Sequence, residues 1–89
     1  MCRNITTLRG LEPAATAQEI EAAARQYVRK VSGVQSLSDA TRDPFEAAVA
    51  QVTAATMALI AALPPRRQPP TSVPPLRRPE VLARIQERA

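Results

Sequence analysis

Thr16-Ala17-Gln18-Glu19-Ile20-Glu21-Ala22-Ala23-Ala24-Arg25-Gln26-Tyr27-Val28-Arg29-Lys30-Val31-Ser32-Gly33 is a helix written with both of its ends. Thr16 is an N-cap, and Glu19 stands three residues on. That spacing is a capping box, in which each side chain satisfies a backbone N–H that the first turn leaves unpaired. Ile20, Ala23, Ala24, Tyr27, Val28 and Val31 recur at helical period and predict a core stripe. Arg25 and Arg29 lie opposite, and Glu21 sits one turn before Arg25, where the two pair on the surface. Gly33 suits the left-handed position that ends a helix.

Downstream, a loop is expected from Val34 to about Arg42, then a second helix running to Leu63. Two start signals compete. In Asp43-Pro44-Phe45-Glu46, Asp43 caps, Pro44 fits the first turn and Glu46 fits the third position. Ser38 or Thr41 gives an earlier start. Phe45, Ala48, Val49, Val52, Thr56, Leu59, Ile60 and Leu63 form one face, and Ala47, Ala50, Ala54, Ala58 and Ala61 lie largely on the other. No charged side chain occurs between Glu46 and Arg66. A solvated helix back normally carries charge, so this one is expected to pack against a second helix.

Upstream, residues 1–15 read as an irregular arm. Ile5, Leu8 and Leu11 recur at spacing three, which fits either a short helical turn or a packed arm. The expected fold is all-α: a two-helix hairpin with an ordered N-terminal arm, dimerising into a small helical bundle. The domain organisation is a helical body at 1–63 and a basic, proline-rich tail at 64–89. Pro64-Pro65, Pro69-Pro70 and Pro74-Pro75 recur every five residues and favour an extended, solvated polyproline II path. A short helix is expected over 79–88, opened by Pro79 and carrying Val81, Leu82 and Ile85 on one side.

Composition excludes several classes. The chain has 89 residues, one Phe, one Tyr, no Trp and a net charge of +4. Residues 1–63 hold six basic and six acidic side chains, so the whole net charge lies in the tail. With so few large apolar side chains a monomeric core is marginal, and self-association is the simplest remedy. There is no histidine, one cysteine and two glycines. A Cys/His zinc site built within one chain, an internal disulfide and a glycine-rich phosphate loop are therefore ruled out. No cofactor or metal is expected, and an enzyme is disfavoured. No secretory signal or myristoylation start is read at the N-terminus, and no apolar run near the length of a bilayer span. The expected location is the cytoplasm, without membrane association.

Three groups of side chains carry candidate chemistry. Cys2 is the lone reactive thiol, and Arg3 beside it favours the thiolate. If Met1 is removed, the new terminal amine and the thiol form a chelating or carbonyl-reactive pair; the bland alternative is an inert thiol in an ordered arm. Arg25, Arg29 and Lys30 form a cationic helix patch that suits nucleic-acid phosphate, or simply a solvated face with Tyr27 in the core. The tail's Arg66, Arg67, Arg77 and Arg78 suit phosphates, an acidic protein partner, or nothing beyond solubility. No Pro-x-x-Pro core is present.

Met1-Cys2-Arg3-Asn4-Ile5, Ala15-Thr16 with Glu19-Ile20, Gln26-Tyr27-Val28-Arg29-Lys30-Val31-Ser32-Gly33, Phe45 with Ala48-Val49, Ala55-Thr56, and Leu59-Ile60 with Leu63 follow one another in an order that resembles a family of short bacterial proteins classed as a domain of unknown function. The resemblance covers about residues 1–63. It implies a bacterial cytosolic setting and no particular activity. The family usually has Asn at the position of Thr41 and lacks Pro44, which implies a later start for the second helix here. The proline-paired tail does not resemble the family's usual end. The resemblance also marks Arg3, Asn4, Arg29, Lys30 and Ser32 as defining polar groups. An arm folded back over the end of the first helix would let Arg3 or Asn4 cap the carbonyls near Ser32.

Overall fold

The computed structural model describes residues 4–66, Pro70, 73–79 and Val81. The chain is all-α. Its elements are α1 (Ala17–Ser32), α2 (Asp39–Ala62) and a single 3-10 turn at Pro75–Arg77, with no strand among the described residues. α1 has the ends its sequence announces. Thr16 accepts from the Glu19 N–H, and Glu19 accepts from the Thr16 N–H, at 3.1 and 2.9 Å. Gly33 closes the helix at φ 73°, its N–H on the Arg29 carbonyl.

α2 begins at the earlier of its two signals. Ser38 is the N-cap, and its N–H donates to the Thr41 hydroxyl at 2.8 Å. The later start implied by Thr41 and Pro44 is therefore not used. Pro44 lies inside the helix, where its missing N–H leaves the Ala40 carbonyl without the usual partner. That loss is tolerated because Ala40 and Pro44 are both exposed and water can take the carbonyl.

The two helices form a hairpin with two clusters. Near the connecting loop, Ala24 and Val28 of α1 pack on Phe45 and Val49 of α2. At the far end Leu8 and Leu11 of the arm cover Ile20, with Ile60 alongside. The arm is thus packed rather than helical: Leu8 and Leu11 are each 7 % exposed. Two stripe residues depart from expectation. Tyr27 and Val31 are 48 % and 65 % exposed, because one partner helix covers a narrower stripe than the sequence offers. The same limit leaves Leu59 and Leu63 of α2 exposed.

By length and composition alone α2 is apolar enough to cross a membrane, with mean hydropathy 1.5, and only 11 % of its apolar window is buried. Counting large apolar side chains overlooks such a segment, because alanine contributes much of its hydropathy. The alanines Ala47, Ala50, Ala54, Ala58 and Ala61 are all exposed.

The tail is tied to the body. Arg9 of the arm donates to the Pro64 carbonyl at 2.9 Å. Gly10, at φ 90°, lies so close to the Arg66 side chain that a Cβ there would stand 2.9 Å from its Cδ. Pro74 is buried, not solvated. Pro79 and Val81 are helical, and the rest of the helix expected over 79–88 lies outside the described residues.

Candidate functional site

Arg77 is the tail's anchor. Its Nε donates to Glu19 Oε2 at 2.6 Å, and its Nη2 reaches Glu19 Oε1 at 3.0 Å. Nη2 also donates to the Pro13 and Ala14 carbonyls at 2.7 and 3.1 Å. This is a bidentate guanidinium–carboxylate pair, with Nη2 shared with two backbone carbonyls. Glu19 therefore works twice: it closes the capping box of α1 and receives the tail. It is 5 % exposed. The hydrogen bond from Arg77 holds its carboxyl below the ordinary value of 4.5, against burial, which pushes it up. The Arg77 pKa is raised in turn by Glu19.

Arg25 is engaged in the same way. Its two terminal nitrogens meet the Glu46 oxygens at 2.8 Å each, and one also reaches Glu21 at 3.3 Å. Its guanidinium lies 5.8 Å from the Phe45 ring centre. The Glu46 hydrogen bonds raise the Arg25 pKa, and the Arg25 bonds lower that of Glu46. A phosphate approaching Arg25 or Arg77 meets a cation whose charge and donors already face a carboxylate. Arg66 packs its stem on Gly10. Arg78 closes the 3-10 turn through its backbone N–H, on the Pro75 carbonyl. Arg67 lies outside the described residues.

The arm does approach α1, but lower than the sequence suggests. The Asn4 N–H donates to Gln26 Oε1 at 2.6 Å. Asn4, Arg29 and Lys30 border one polar cleft of about 450 Å³, together with Arg25, Gln26 and Gln35. Ser32 does not line it. Its hydroxyl instead accepts from the Val34 N–H at 3.2 Å. Cys2 and Arg3 lie outside the described residues. Among the described residues no cluster of His, Cys, Asp and Glu could hold a metal.

An apolar groove of about 320 Å³ runs between the arm, α1 and the second half of α2. Leu8, Tyr27, Val52, Leu59 and Leu63 wall it, with Thr6 and Arg9 of the arm. Sequence reasoning missed this groove, and it also missed the Glu19–Arg77 clamp. The partners of the clamp are 58 residues apart, and only the excess of arginine in the tail hinted at it.

The chain belongs to an uncharacterised conserved protein family, DUF2277, whose model matches residues 1–84. The match runs well past Leu63, so most of the proline-paired tail belongs to the family pattern, contrary to the expectation from sequence. Neither a curated protein nor a solved structure matches the chain.

Proposed function

We propose, with membership of DUF2277 as the premise, that the chain is a self-associating helical interaction module of the bacterial cytosol, and that α2 of one copy pairs antiparallel with α2 of another. The observation that carries this reading is the exposed back of α2. Asp43, Ala47, Ala50, Ala54, Met57 and Ala61 are all exposed, and their spacing alternates four and three. That is the heptad pattern of a helix seam, and Ala50, Ala54 and Met57 also border a cleft shared with Glu21 of α1. Alanine at the seam permits axes at the close end of the usual range of about 8–10 Å.

A two-fold axis near Ala54 relates the two copies. The arrangement is isologous, as most homodimers are.

Sedimentation equilibrium tests it. The parent chain is expected to sediment as a dimer at micromolar concentration. Ala54→Glu puts two carboxylates at the dyad and is expected to weaken association at least about a hundredfold, from two desolvated like charges. A parent chain that stays monomeric at every concentration overturns the reading. So does an Ala54→Glu variant that dimerises like the parent.

A further inference from the structure

The opposite face of α2, turned toward α1, borders the apolar groove. Tyr27, Leu59 and Leu63 are 48 %, 56 % and 39 % exposed, and all three wall it. From Val52 to Leu63 it follows α2 for about 16 Å at 1.5 Å per residue. Its volume of about 320 Å³ lies at the small end of ligand pockets, about 300–1,000 Å³. The groove is therefore suited to a slim aliphatic molecule rather than to a helix.

Thr6, Thr7 and Arg9 of the arm and Thr56 of α2 interrupt the apolar wall, and the Thr56 hydroxyl donates to the Val52 carbonyl at 2.7 Å. The Thr6 hydroxyl is buried and has no hydrogen-bond partner among the described residues. Its oxygen has less than 1 Å² of accessible surface, so an occupant of the groove does not reach it. Arg9 has Nε fixed on the Pro64 carbonyl. Its terminal nitrogens face no carboxylate among the described residues. Arg25 and Arg77, by contrast, are each held by a glutamate. A pinned guanidinium with open donors beside an apolar groove complements a carboxylate on a hydrocarbon chain.

We propose that this groove binds a medium-chain aliphatic carboxylate. The chain lies along Val52, Leu59 and Leu63, and the carboxylate engages Arg9. The seam on the other face of α2 stays free, so binding and self-association are independent.

Calorimetric titration of the full chain with decanoate, decanol and acetate tests this, with amide chemical shifts locating the site. Decanoate is expected to saturate one site per chain and to shift residues of the arm and of 52–63. Decanol is expected to bind about tenfold more weakly, and acetate not measurably, since a hydrogen bond to a charged group contributes about 1.5–3 kcal/mol. Arg9→Gln keeps a donor for Pro64 and is expected to weaken decanoate about tenfold without affecting decanol. Thr6→Val keeps the shape and is expected to leave both unchanged, because the Thr6 hydroxyl is closed off from the groove. Ala54→Glu is expected to bind decanoate like the parent, which separates failure here from failure of the dimer. No saturable decanoate binding overturns the proposal. Equal affinity for decanoate and decanol, indifference to Arg9→Gln, or a site on the alanine seam overturns it as well. A second copy or another protein found seated in the groove does the same.

Discussion

Phe45→Ala is expected to leave the chain largely unfolded at room temperature. Phe45 is the largest buried side chain, 4 % exposed, and packs with Ala24, Val28 and Val49. Its buried neighbours Ala24, Val28 and Val49 are small or β-branched and do not fill the space it leaves. Truncating a buried Phe costs about 3–5 kcal/mol, and a core of this size supplies about 3–5 kcal/mol in all. The Arg25 guanidinium over the ring is lost too, worth about 0.5–1 kcal/mol where it is partly solvated. Circular dichroism during urea unfolding, at one fixed protein concentration, reads the outcome. Phe45→Leu keeps most of the volume and is expected to cost under about 1.5 kcal/mol. A Phe45→Ala variant with a cooperative transition near that of the parent contradicts the assigned core.

Arg77→Ala is expected to cost about 2 kcal/mol and to free the tail. The substitution leaves the Glu19 carboxylate without its cation. A buried charge stripped of its partner costs about 3–5 kcal/mol. The smaller figure applies because the Arg77 side chain is still 19 % exposed and water can take its place. The effect depends on pH in a defined direction. Folding lowers the Glu19 pKa from 4.5, with the Arg77 hydrogen bond as the largest cause. Its contribution is thus complete above about pH 4.5, and it is lost as pH falls through the lower folded value. The stability gap between the parent and Arg77→Ala is expected to stay constant from neutral pH to near 5 and to close in stronger acid. Urea titrations across pH measure it. A gap that is absent at neutral pH, or unchanged in acid, removes the clamp from the description.

That clamp also shows where sequence stops informing. The capping box of Thr16 and Glu19, the Gly33 terminus and the apolar faces of both helices are local patterns, and each was legible. Glu19 reads fully as a cap residue, so nothing nearby asks for a second partner. Its cation arrives from a tail whose prolines suggest an extended, solvated chain. The early start of α2 was obscured in a similar way. Asp43-Pro44 is a stronger local signal than Ser38 with Thr41, yet a proline near a helix start is compatible with either. Tyr27, Val31, Leu59 and Leu63 read as core because periodicity records which way a side chain faces, not whether anything covers it. The groove follows from that shortfall in cover. It becomes visible only once the arm places Thr6 and Arg9 at its edge.

Antiparallel pairing of α2 is tested most directly by a dipolar distance between spin labels at Ala40→Cys in a Cys2→Ser background. Ala40 is exposed near the start of α2, beside the seam and clear of its contact residues. With a two-fold axis at Ala54, the two labels lie about 40 Å apart, from 14 residues on each side at 1.5 Å per residue. That separation is the expected result, and Ala54→Glu is expected to abolish it. No dipolar signal from the parent chain at micromolar concentration, or a separation of about 10–15 Å as parallel helices with axes about 8–10 Å apart require, would contradict it.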